Sequence, residues 1–137
     1  MSSLQAFLSP TYTENTAEVI VSDRFKNEDG TPATVKIRNI MQDENDALIK
    51  QSTKKSNVDG QIAETLNKIE YQRRLVLACV VEPNLASEEL CKNVGVLDPL
   101  LTASKLFTPG EYKLLVNEIM KINNFKSTAE LVEEAKN

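Results

Sequence analysis

A chain of 137 residues, 41% apolar and 26% charged, can bury about two-thirds of its unfolded surface, so it needs neither disulfide nor metal to hold a fold. Its net charge of -4 supplies no field to draw in a polyanion such as nucleic acid, and the absence of histidine removes the commonest general base, proton shuttle and metal ligand. Cys79 and Cys91 therefore read as buried free thiols rather than half of a metal site.

In chain order, residues 2–8 place Leu4, Phe7 and Leu8 at helical spacing before Pro10, which predicts a turn or two of helix. Thr11 to Thr16 reads as polar loop. Ala17 to Phe25 and Thr34 to Ile40 carry the β-branched, alternating pattern of strands, and they are expected to pair. Between them Asp29-Gly30 can supply a turn with positive φ, and Pro32 limits pairing close to it. Two strands alone are only marginally stable, so this hairpin must lean on a helix or on another chain.

Gln42 to Thr53 reads as a short helix with Asp43, Glu44 and Asp46 at its start and Lys50 near its end, as the macrodipole favours. Only Ala47, Leu48 and Ile49 are available for it to bury. Lys54 to Asn57 reads as a polar link. The strongest periodic signal follows: Ile62, Leu66, Ile69, Arg73, Val76 and Val80 lie on one face of a 3.6-residue helix over Asp59 to Val81, stopped by Pro83. Such a helix would be about 35 Å long and form the spine of the molecule.

Ser87 with Glu88 and Glu89 marks the start of a helix through Val94, which Gly95 ends. Asp98-Pro99 opens a short helix through Leu106, and Thr108-Pro109-Gly110-Glu111 is a capping box. The helix after it carries Tyr112, Leu115, Val116, Ile119 and Ile122 on one face and closes at Asn123-Asn124. Ser127 to Glu130 caps a last helix with Leu131, Val132 and Ala135. The expected class is α+β: an N-terminal β-hairpin followed by a mostly helical bundle of about five helices around one long helix. A single domain over 1–137 is expected, with the hairpin and short helix of 1–58 packed on the helical part, 59–137.

No constellation for catalysis, cofactor or metal binding emerges. Gly30, Gly60, Gly95 and Gly110 are scattered, so neither a dinucleotide fingerprint nor a P-loop can be written from them. The acidic residues at 43, 44 and 46 lack the spacing of a calcium loop, and a helix N-terminus explains them. The longest apolar run, Leu75 to Val81, is far short of the roughly 20 residues that span a bilayer, which points to a cytoplasmic protein without membrane contact. Arg73 falls on the apolar stripe, where its stem can lie on the core while its head reaches water, a carboxylate or a partner chain. Leu106, Phe107 and Tyr112 would make a patch for a partner helix if exposed. The residues alone thus describe a non-enzymatic α+β protein that works by binding.

The order of the motifs carries more. Arg24-Phe25 with Asp29-Gly30, then Ile37-Arg38, Glu44-Asn45, Glu82-Pro83-Asn84-Leu85, Leu106-Phe107-Thr108-Pro109-Gly110-Glu111-Tyr112, and the terminal Leu131 to Asn137 form a series over nearly the whole chain. The series resembles the XkdN-like tail assembly chaperones of contractile-tailed phages and of phage-derived elements in Gram-positive bacteria. Asn84 stands where the pattern has Asp, and Asn123-Asn124 where it has a Gly turn; both positions tolerate Asn.

The resemblance implies a cytoplasmic helper that binds the long helical tape-measure protein while the tail tube polymerises, and that is absent from the mature virion. It also implies a longer form made by a translational frameshift near the end of the reading frame, which the stop at Asn137 would fit. Coating one long client calls for apolar surface and for self-association. The alternative reading is a permanent structural subunit of a phage tail or baseplate.

Overall fold

Val35 and Ile37 alternate with Lys36 and Arg38, so one face of that strand is apolar. In the computed structural model, which describes residues 4–11 and 14–124, this strand is the middle of a three-stranded sheet. It is β2, Val35–Arg38, flanked antiparallel by β1, Thr16–Val19, and by β5, Val80–Glu82. Val19 pairs Val35, Ala17 pairs Ile37, and Ile37 faces Val80 across a register shift at Lys36. The expected pairing of the first two strands is present, but β1 leaves the ladder after Val19, and Val21 and Phe25 pack on the core from outside it. The turn at Asp29-Gly30 forms as expected, with Gly30 at φ +88° and its N–H donating to Asn27 O at 2.9 Å.

A short helix α1, Leu4–Leu8, precedes the sheet, and α2, Gln42–Gln51, follows it. On α2 the buried residues are Asn45 and Leu48, while Ala47 and Ile49 are exposed, so its inner face is narrower than expected and half polar. The phenol of Tyr71 satisfies the Asn45 side chain. Arg38 ties the start of α2 to the sheet, with its two terminal nitrogens 3.2 and 2.8 Å from the Glu44 carboxylate.

The expected spine is divided. Asp59 and Gly60 both have positive φ, +53° and +80°, as the central residues of a two-residue type I′ hairpin turn require. They join β3, Thr53–Val58, to β4, Gln61–Leu66, in an unbroken antiparallel register from Thr53↔Leu66 to Val58↔Gln61. The polar link expected at Lys54 to Asn57 is therefore a strand, and the helix expected from Asp59 begins only at Lys68. It is α3, Lys68–Cys79, with Asn67 as its N-cap accepting from Glu70 N at 3.1 Å. Of the predicted stripe, Val76 and Val80 are buried, whereas Ile62, Leu66 and Ile69 are exposed. Every residue of β4 is exposed, so this second hairpin is an arm between two packed helices, about 20 Å long at 3.4 Å per residue.

The C-terminal caps form as expected. Ser87 caps α4, Glu88–Val94, and Gly95 ends it at φ +81°. Asp98 caps a 3-10 turn, Pro99–Leu101, which runs into α5, Thr102–Leu106. The Thr108/Glu111 capping box opens α6, Pro109–Ile122, and Asn123 closes it. The last helix expected after Ser127 lies outside the described residues. One cluster of buried side chains, including Ile37, Leu75, Val76, Cys79, Leu85, Leu115 and Ile119, joins the sheet to α3 and α6. The α+β class is as expected, and among the described residues no helix is long and apolar enough to cross a membrane.

Candidate partner-binding surfaces

Leu106 and Phe107 end α5 at the open corner of the sheet. Phe107 is buried and meets the Phe25 ring edge-on, with centroids 5.6 Å apart and planes at 79°. With Val35, Pro83 and Leu90 they line an apolar pocket of about 370 Å³ that contains no charged side chain; the exposed Thr34 also borders it.

A polar clamp fixes this corner from behind. The capping residue Glu111 receives Arg24 Nε at 2.9 Å and Nη2 at 2.6 Å, and the same Nη2 donates to Leu106 O at 2.8 Å. Glu111 also accepts from the Ser22 hydroxyl and, at 2.8 Å, from Thr108 N. The Arg24 guanidinium lies 4.7 Å from the Phe25 centroid, so the clamp orients the ring that lines the pocket. The Arg24 hydrogen bonds, then those from Ser22 and Thr108, hold the Glu111 carboxyl well below the usual carboxylate range.

Tyr112 and Arg73 do not line this pocket. Tyr112 is half-buried; burial raises its phenol, and the nearby Arg73 charge pulls it back. The four residues singled out from sequence thus fall into two pairs, Leu106 with Phe107 and Tyr112 with Arg73. Arg73 borders a separate groove of about 370 Å³ between α3 and the 3-10 turn, with Ile69, Leu100, Leu101, Glu70 and Asp98. Glu70 is engaged by Arg74 at 2.9 Å, and Asp98 accepts from Leu100 N at 3.0 Å. The Arg73 side chain makes no hydrogen bond or ion pair among the described residues. Half-buried beside the exposed Ile69 and Leu101, it is a cation held next to apolar surface. A larger depression of about 580 Å³ along α6 is lined mainly by Lys113, Asn117, Glu118 and Lys121, and offers a partner charge rather than an apolar seat.

Sequence reasoning missed the arm. Its signal is Asp59-Gly60, the same two-residue hairpin marker as Asp29-Gly30, overridden by a helical stripe that continues through it. The other candidate groups have structural partners: Glu44 is held by Arg38, and the Asp46 carboxylate accepts from Gln42 Nε2 at 2.7 Å. Among the described residues no cluster of three or more Cys, Asp and Glu could hold a metal ion. Burial pushes the Cys79 thiol up to about 11, only partly opposed by Asn123 Nδ2 at 3.7 Å. Both cysteines are buried, so a thiol reagent at neutral pH should leave the native protein unlabelled and modify two groups once denaturant is added. Rapid native labelling of Cys79 would contradict that environment.

Comparison with known proteins places the chain in a family. Residues 4–136 match the family model of the phage XkdN-like tail assembly chaperone protein. The chain is 29% identical over 120 residues to protein YqbN of Bacillus subtilis (strain 168), covering 86% of this chain and 80% of that protein. It is 28% identical over 123 residues to the phage-like element PBSX protein XkdN of the same strain, covering 88% and 83%. The crystal structure of YqbN aligns with a TM-score of 0.73 at 25% identity, covering 88% of this chain and 96% of that one. The matched span takes in the sheet, the arm, and both candidate surfaces, and the chain belongs to the XkdN-like phage tail assembly chaperones.

Proposed function

We propose that this protein is a non-enzymatic chaperone that binds the tape-measure protein during tail assembly, works in the host cytoplasm, and is released before the virion is mature. The observation that carries this reading is membership of the tail assembly chaperone family over residues 4–136. The groove between α3 and the 3-10 turn supports a manner of binding. An amphipathic client helix laid there would set its apolar side chains against Ile69, Leu100 and Leu101 and a carboxylate against Arg73. Leu106 and Phe107 supply a second apolar seat, for contacts between copies rather than for the client, and Tyr112 lies within the field of the Arg73 charge. The work is burial of apolar surface, which calls for no catalytic group and no cofactor. Many copies on one long client require contacts between copies, and a longer frameshifted form would carry the same surfaces.

Co-expression with the tape-measure protein should give a soluble complex. Arg73→Ala should weaken it roughly 10- to 100-fold, the equivalent of about 1.5–3 kcal/mol for a lost hydrogen bond to a charged group. Ile69→Asp, at an exposed position, should weaken it while leaving the fold intact. A tape-measure protein equally soluble without the chaperone would defeat the proposal. Recovery of the protein from purified mature particles would support a permanent tail or baseplate subunit instead.

A further inference from the structure

The helix α1 has the sequence Leu-Gln-Ala-Phe-Leu, and every one of its residues is exposed, with Phe7 at 80% and Leu8 at 66%. Five residues are too few for a helix to persist in water by its own hydrogen bonds, so packing on something else must hold it. The pocket at Phe25, Leu90, Leu106 and Phe107 presents the opposite problem, an apolar hollow that none of the described residues fills. We propose that α1 of one copy of this chain plugs that pocket of the next copy, joining protomers head to tail. This deepens the self-association part of the function proposed above and rests on it.

Three observations favour this occupant. The first is electrostatic: no Asp, Glu, Lys or Arg precedes Glu14, and none lines the pocket, so insertion strips water from no charged side chain. The second is size. About 370 Å³ takes one aromatic ring and part of a neighbouring aliphatic side chain, which α1 supplies from one face, Phe7 with Leu4 a turn before it. The third is the path of the chain. Thr16 pairs with Arg38 at the end of the ladder away from Val35, whereas the pocket lies at the Val35 end. Residues 9–15 reach about 25 Å when fully extended, more than the roughly 10 Å length of β1, so the link could double back; α1 nevertheless lies outside its own pocket, with Phe7 80% exposed.

Because plug and pocket are different surfaces, the contact is heterologous, and repeating it gives an open chain or a ring rather than a closed dimer. A Phe ring buries on the order of 150–250 Å², so with its neighbouring leucines the contact falls at the small end of specific interfaces and should be reversible. Reversible head-to-tail contacts suit a protein that must coat a long client and then leave it.

The test uses the purified full chain with no tape-measure protein present, followed by sedimentation and light scattering over a concentration series. Wild type should grow beyond a dimer as concentration rises. Phe7→Glu removes the plug and Thr34→Arg obstructs the pocket, both from exposed positions, and each should raise the concentration needed for association at least tenfold. Mixed in equal amounts, the two variants retain one plug and one pocket between them and should stop at a dimer. The chain has no tryptophan, so Phe7→Trp provides a single indole, excited apart from the three tyrosines, whose emission should shift to the blue as concentration rises. Wild type that stays monomeric throughout would overturn both this proposal and the self-association reading. Wild type that assembles while Phe7→Glu assembles equally would overturn the plug and leave self-association standing. Blue emission from Phe7→Trp that is independent of concentration would place α1 in its own pocket and overturn the exchange between copies.

Discussion

Leu75→Ala is expected to destabilise the fold by about 2–5 kcal/mol, while Ile62→Ala changes it by no more than about 0.5 kcal/mol. Leu75 is 2% exposed, in contact with the core that joins α3 to the sheet and α6, so truncation removes buried methyl groups and leaves a cavity that rigid neighbours cannot collapse into. Ile62 is 75% exposed on the arm, where its methyl groups face water before and after unfolding. Urea titration should show the midpoint falling for Leu75→Ala at unchanged slope, with a thermal midpoint lower by roughly 10 °C, and Ile62→Ala superposing on wild type. One continuous helix from Asp59 to Val81 with both residues against the core would instead make the two substitutions comparably costly, and equal losses would contradict the arm.

That contrast shows why part of the fold could be read locally and part could not. The caps at Ser87, Asp98 and Thr108 and the alternation about Ile37 are each decided within a few residues, by a side chain that satisfies a backbone N–H or by a face that must be dry. Ile62 and Leu66 are ambiguous in kind. Residues four apart lie on one face of a helix and equally on one face of a strand, so only the turn chemistry at Asp59-Gly60 separates the two readings. The surfaces are further from local rules. Phe107 was legible as apolar, but its partner Phe25 comes from before the central strand and is brought to it by a guanidinium clamp on Glu111. Arg73 was legible as an anomaly on an apolar stripe. Its groove exists because the 3-10 turn at Pro99–Leu101 packs beside α3, a tertiary pairing with no sequence period of its own.

The clamp on Glu111 should dominate the acid limb of stability. Its carboxylate is buried among the Arg24 guanidinium, the Ser22 hydroxyl and the Thr108 N–H, all of which donate to the ionised form, so its folded pKa lies well below the unfolded value of about 4.3. A depressed folded pKa means the unfolded chain takes up the proton first. The stabilisation is therefore complete above about pH 4.3 and is lost as pH falls toward the folded value. Glu111→Gln keeps the shape but cannot neutralise Arg24, and it loses the charged half of the capping box. Its thermal midpoint should lie well below that of wild type at pH 7, and the gap should close progressively below pH 4 as wild type loses the same interaction. Because the clamp also orients Phe25 and holds Leu106 O, the variant should weaken self-association at neutral pH more than its loss of stability alone would explain. A gap in thermal midpoint that stays constant from pH 7 to pH 2.5 would mean that the Glu111 charge is not what Arg24, Ser22 and Thr108 are holding.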